Sequence, residues 1–180
     1  MDAPMPTIPV PTRPTGRRRR RLRLCSVTAV AGLSMLVTQC APQQCAPAPA
    51  PSGSVAEQIV TLVNRERAAA GVAPVALHPA LNSAAQAHSN EQAARNLMTH
   101  YSANGSNGGQ RMAGAGYAWR AWAENIAAGQ GDAATAMNAW MTSTEGHREN
   151  ILNPRYTDMG VGLAYSAGGV PYWTQDFASG

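Results

Sequence analysis

Glu145-Gly146-His147-Arg148-Glu149-Asn150-Ile151-Leu152, together with the run from Tyr156 to Phe177 that follows it, decides how this chain is read. After Pro154 the pattern turns to that of strands. Met159, Val161 and Leu163 alternate with glycines and Ala164, and Val170, Tyr172, Trp173 and Phe177 are strand formers. Ser166-Ala167-Gly168-Gly169 separates the two runs, so an antiparallel hairpin is expected. The octapeptide thus sets a histidine and acidic groups just ahead of a sheet. A second cluster of this kind, Met98-Thr99-His100-Tyr101-Ser102, lies upstream, with Glu124 between the two. If the fold gathers these pieces, His100, Glu124, Glu145 and His147 line one cleft.

Working back from the hairpin, the chain reads as helical. Ser54 and Glu57 have the spacing of a capping box, and Val55, Ile59, Leu62 and Val63 form an apolar stripe at helical spacing that Gly71 ends. Pro79 suits the first turn of a second helix, on which Leu81, Ala84, Ala85 and His88 share a face; it should end near Asn96. The glycine-rich segment 105–116 reads as loop with one helical turn around Gln110 to Ala113. Asp132 can cap a further helix in which Ala133, Met137, Trp140 and Met141 lie near one face. Helices first and strands afterwards imply an α+β layered domain rather than a parallel nucleotide-binding sheet. The four tryptophans, Trp119, Trp122, Trp140 and Trp173, are expected in the core of a chain with one phenylalanine.

The first fifty-odd residues have a different character. Arg13, Arg17 to Arg21 and Arg23 supply seven of the fourteen basic residues, whereas from Ser54 onward seven arginines face nine acids. The formal charge of +4 therefore belongs to the leader, and the rest carries about −2, which removes the electrostatic case for nucleic-acid binding. The arginines precede an apolar run from Cys25 to Thr38 of 14 residues, short for a spanning helix and followed by small residues and prolines. Residues 1–40 accordingly read as a signal peptide or lipoprotein-type leader. Val37-Thr38-Gln39-Cys40 resembles a lipoprotein cleavage box in which a lipidated Cys40 would attach the chain to a membrane, although Gln39 stands where such boxes hold a small residue. Residues 41–53 are a Pro/Ala-rich linker, and 54–180 the domain. All three cysteines precede Ser54, so neither a disulfide framework nor a thiolate zinc site is expected in the domain.

Among the four histidines, His78 reads as a capping or turn residue before Pro79 and His88 as packed on its helix. His100 and His147 sit at loop-helix boundaries among small polar residues, where side chains can converge. Neutral imidazoles ligate zinc and a carboxylate can complete such a site, so His100 and His147 are the candidate metal ligands for a divalent cation. A histidine beside a glutamate can equally carry a proton, and Ser102 or Ser143 could serve as nucleophile, but neither lies in a nucleophile-elbow motif.

The ordered set of motifs resembles the CAP superfamily, the domain of cysteine-rich secretory proteins, insect venom antigen 5 and plant pathogenesis-related proteins, in its bacterial SCP-like branch. The matching pieces are Leu62-Val63-Asn64-Arg65-Glu66-Arg67, the helix through Ala84 to His88, Met98-Thr99-His100-Tyr101-Ser102, Glu124-Asn125-Ile126, Trp140-Met141, Gly146 to Leu152, Met159-Gly160-Val161-Gly162 and Tyr172-Trp173-Thr174-Gln175. The resemblance implies an α-β-α sandwich with a central antiparallel sheet, and a cleft lined in many members by two histidines and two acids. His100 and His147 match the histidines and Glu124 one acid. Glu145 substitutes for the second, whose expected place is near Ser143. Ala123 replaces the glycine usual before the glutamate.

Members of such a family are described as binding sterols, fatty acids or divalent cations, with protease or nuclease activity suggested for some. The leading expectation is therefore an exported binding module, extracellular or associated with the cell envelope, whose His/Glu cleft holds a divalent cation (zinc) or a small ligand. A groove between alanine-rich helices offers room for a lipid chain. A hydrolase of envelope or extracellular polymers is the first alternative and a structural or interaction domain the second.

Overall fold

Ser54 starts the domain as its spacing predicts: its hydroxyl accepts from the Glu57 backbone N–H at 3.3 Å, and the Glu57 carboxylate accepts from the Ser54 N–H at 2.7 Å. The computed structural model describes residues 53–180. The expectations placed on the leader, on Cys40 and on all but the last residue of the linker lie outside the described residues. From Ser54 the chain runs through helix α1 (Val55–Ala69), the short strand β1 (Ala76–Leu77), helix α2 (Pro79–Arg95), helix α3 (Gly108–Gly114) and strand β2 (Ala121–Ala128). Helices α4 (Ala133–Thr142) and α5 (His147–Ile151) and the hairpin of β3 (Asp158–Tyr165) and β4 (Pro171–Ser179) complete it. The caps at both ends of α2 follow the sequence: His78 Nδ1 accepts from the Ala80 N–H at 3.2 Å, and Asn96 closes the helix in the left-handed conformation at φ 48°.

The four strands form one sheet in the order β1-β3-β4-β2. The β2–β4 and β3–β4 pairs are antiparallel, and only the two-residue β1 runs parallel to β3. Helix α2 lies so close to the sheet that a Cβ on Gly160 would collide with the Leu81 carbonyl, and one on Gly162 with that of Ala85. The glycines alternating along β3 are thus a packing requirement. Asn82 and Gln86 of α2 bond the backbone of β3, accepting from the N–H groups of Val161 at 2.9 Å and Leu163 at 3.2 Å, which occupies an edge that β1 is too short to pair. Another apolar cluster unites Ile59, Leu62 and Val63 of α1, Ala136, Met137 and Trp140 of α4, and Met159, Val161, Trp173 and Phe177 of the sheet. The layers are those of an α-β-α sandwich.

α5 begins at the loop-helix boundary expected at His147. Three features depart from the sequence reading: β1 and β2 fall in stretches for which no strand was expected, and Trp119 remains 38 % exposed rather than entering the core. Trp140 and Trp173 are buried as anticipated.

Arg67 of α1 is fully buried and closes the loop between α5 and β3. Its guanidinium donates to the carbonyls of Ala73 at 2.6 Å, Ile151 at 2.8 Å, Asn153 at 3.0 Å and Tyr156 at 3.0 Å. Removing it leaves those acceptors without their donor in a buried setting, where each unsatisfied group costs about 1–3 kcal/mol. Arg67→Ala should lower the unfolding free energy in urea by about 3–5 kcal/mol; a loss below about 1 kcal/mol would mean that water replaces the guanidinium freely.

Candidate functional site

His100 follows α2 on the segment leading to α3, Glu124 lies within β2, and His147 opens α5 behind Gly146, whose φ of 88° makes the turn that aims the helix. The Glu124 side chain is 1 % exposed. One carboxylate oxygen, Oε1, lies 2.8 Å from His100 Nδ1, and the other accepts from Arg111 Nη2 of α3. Since an ionised carboxylate only accepts, Nδ1 carries the proton and the His100 Nε2 lone pair is left for another partner. Burial alone would push the Glu124 carboxyl up, but His100 and Arg111 outweigh it and hold it below the usual carboxylate range.

Arg111 also fixes the segment that carries His100, donating to the His100 carbonyl at 3.0 Å and the Ser106 carbonyl at 2.9 Å. The first turn of α3 reaches this position because Gly108 has no side chain: a Cβ there would lie 2.9 Å from the Trp122 ring and 3.3 Å from Glu124 Oε2. From the other side, buried His88 approaches the Thr99 carbonyl through Nε2 at 2.7 Å. Burial depresses the pKa of His88, so its neutral ring acts as a strut beside His100.

His147 is held by a separate network. Its Nδ1 is 2.9 Å from Ser143 Oγ, which also accepts from the Glu145 N–H at 3.0 Å. Asn125, the neighbour of Glu124 in β2, donates to the His147 carbonyl at 3.1 Å and to Gln175 Oε1 at 2.9 Å, and it accepts from Asn150 at 2.8 Å. Burial depresses the pKa of His147, more than the Glu145 and Glu149 carboxylates raise it, so the ring is neutral near pH 7.

A cavity of about 360 Å³ is lined by His100, Glu145 and His147 together with Met98, Thr99, Tyr101 and Ile126. Three of the four residues singled out in the sequence therefore share one surface, while Glu124 stands behind His100 and does not line it. Among the described residues, no group of three or more His, Cys, Asp or Glu side chains is placed to hold a metal ion. Two imidazoles line the cavity, fewer donors than a closed structural centre needs. A separate groove of about 220 Å³ runs between α1 and α4, with Leu62, Met137 and Met141 in its wall and Arg65 and Glu66 beside them.

Sequence reasoning missed Arg111, Asn125 and, above all, Asp176. Asp176 of β4 is fully buried directly opposite Glu124 of β2, and neither of its carboxylate oxygens has a hydrogen-bond partner. Burial, and next the charge of Glu124, raise its pKa well above the usual carboxylate range. A protonated Asp176 can donate to Glu124, which reconciles two carboxyl groups in one dry place. A carboxyl whose pKa is raised on folding gives stability that is complete below its unfolded pKa, about 3.9, and is lost as pH rises through the folded value. Asp176→Asn should therefore gain stability relative to the wild type between pH 4 and pH 7, by at most about 1.4 kcal/mol per pH unit. Urea unfolding of both chains across that range checks it, and a constant difference would show that Asp176 is not held neutral.

The family model for CAP, the cysteine-rich secretory protein family, matches residues 60–177. The uncharacterized protein YkwD of Bacillus subtilis (strain 168) is 35 % identical over 130 residues, which are 72 % of this chain and 49 % of that protein. The uncharacterized membrane protein YlbC of the same organism is 31 % identical over 121 residues, 67 % of this chain and 33 % of its own length. The chain thus spans half or less of the length of these curated relatives. Among solved structures, an extracellular protein containing an SCP domain from Bacillus anthracis str. Ames aligns with a TM-score of 0.61 at 29 % identity, covering 69 % of this chain and 40 % of that one. An outer surface protein of Borrelia burgdorferi aligns at 0.62 with 16 % identity over 67 % of this chain and 89 % of that one, a likeness of fold alone. With the family's pattern running from within α1 into β4, the chain belongs to the cysteine-rich secretory protein (CAP) family.

Proposed function

We propose that this protein is an exported binding module whose cleft takes up a small cationic ligand or a divalent cation between His100, Glu145 and His147. The observation that carries this reading is the hydrogen bond from His100 Nδ1 to buried Glu124, which turns the ring's second nitrogen toward other partners as an acceptor. His147 adds a second imidazole, neutral near pH 7, and Glu145, whose carboxylate has no ion-pair partner among the described residues, adds the charge. The charge of Glu124 is already matched by Arg111. Such a surface is rich in lone pairs and selects for positive charge or hydrogen-bond donors. Export is supported by the three-part leader in residues 1–40 and by the extracellular description of the Bacillus anthracis relative. The leader, or a lipidated Cys40, would decide between release and attachment to the envelope.

A hydrolase is the second reading, and the 2.9 Å contact of Ser143 Oγ with His147 Nδ1 favours it. It ranks lower because both oxygens of Glu124 are engaged by His100 and Arg111, which leaves that carboxylate no free role as a base.

Calorimetric titration of the full chain with zinc tests the binding reading. The wild type should give a heat that His100→Ala/His147→Ala abolishes, and Glu124→Gln should weaken affinity by about 10- to 100-fold, as loss of an orienting carboxylate does. Equal heats from the wild type and the double variant would remove the cation from the proposal.

A further inference from the structure

The histidine cleft does not end at His147. A second cavity, of about 200 Å³, shares Met98, Ile126 and His147 with it and extends over Ala139 and Trp140 toward Gln130. Its walls are mainly apolar. Trp140 Nε1 is already committed to the Ile126 carbonyl at 3.1 Å, so the indole offers this space only its hydrocarbon surface. Met98, 51 % exposed, forms the partition between the two cavities and is an unbranched, adaptable side chain.

We infer that the two cavities form one bipartite site for a primary alkylammonium compound, with its cationic head at Glu145 and the two imidazoles and its alkyl arm between Met98, Ile126, Ala139 and Trp140. This rests on the proposed reading of the cleft as a cation-accepting surface and names the class of ligand. The charge argument is local. Glu145 is the cleft carboxylate that no arginine neutralises among the described residues, and the His100 and His147 rings line the same cavity beside it. An anionic head would instead face that unmatched carboxylate. The cleft, at about 360 Å³, already lies within the range of about 300–1,000 Å³ usual for small-molecule sites, and the second cavity adds about 200 Å³ of mainly apolar space for an arm.

Titration of the full chain, by calorimetry and by amide chemical-shift changes, with methylammonium, butylammonium and hexylammonium separates the parts. Affinity should rise about fourfold for each methylene that enters the apolar space, so that hexylammonium binds at least about tenfold tighter than methylammonium. Ala139→Phe, which fills the second cavity, and Met98→Ser, a half-exposed position at which the fold has little to lose, should each bring hexylammonium down toward the methylammonium level. Equal affinities along the series, with zinc heat still abolished in His100→Ala/His147→Ala, would overturn the apolar subsite and leave the cleft reading standing. No binding of any amine alongside that zinc result would overturn the alkylammonium class, and absence of both zinc and amine binding would remove the cleft reading and this inference with it.

Discussion

The arrangement depends on a charge held inside the domain. Glu124 sits in the sheet with almost no exposure, and it stays ionised because Arg111 and His100 occupy its two oxygens. Bringing a carboxylate and a guanidinium out of water carries a penalty that their attraction only about offsets, so the pair is weak as a source of stability. Its value lies in position. Breaking it from one side would strand a buried charge at a cost of about 3–5 kcal/mol, and that penalty ties strand β2, helix α3 and the His100 segment to one another. Arg111 adds two backbone carbonyls of that segment to its partners, so the loop bearing His100 is located by the same guanidinium that neutralises Glu124.

On the same face of the sheet as this pair, helix α2 meets the sheet at backbone distance over Gly160 and Gly162, and the interface between them is partly polar. Thr174 receives hydrogen bonds from Ser89 at 2.9 Å and Gln92 at 3.1 Å, and Gln92 in turn accepts from the Thr99 N–H at 3.2 Å. With His88 bonding the Thr99 carbonyl, the residue before His100 is fixed at both its backbone groups by α2. The two histidines of the cleft are thus positioned by independent networks, one rooted in α2 and α3 and the other in Asn125 and Asn150. A ligand touching both imidazoles would couple two parts of the fold that otherwise meet through β2. Such coupling makes the cleft a natural place for binding to change the stability of the whole domain.

Much of this was legible in the sequence, for local reasons. Ser54 with Glu57, Pro79 with Asn96, and Asp132 mark helix ends through side chains that act within a few residues, and the β3–β4 hairpin declares itself by alternation. β2 did not. Its sequence Ala-Trp-Ala-Glu-Asn-Ile-Ala-Ala is poor in β-branched residues, and it becomes a strand because β4 supplies eight paired positions along it. Asp176 was illegible for the same reason, since its significance is a register with a strand that could not be seen. The resemblance to the family located His100, Glu124 and His147, but whether a carboxylate lines the cleft or stands behind a histidine is a matter of tertiary depth. Glu124 proves to stand behind, and Glu145, chosen as a substitute for a missing acid, lies on the cavity wall.

The central claim is that buried Glu124 fixes the proton of His100 on Nδ1 and presents Nε2 as an acceptor. Long-range nitrogen–proton NMR of the imidazole rings, at a pH where His100 is neutral, tests this directly. The account predicts the Nδ1–H tautomer for His100 in the wild type and its loss in Glu124→Ala. A His100 ring protonated on Nε2 in the wild type would contradict it.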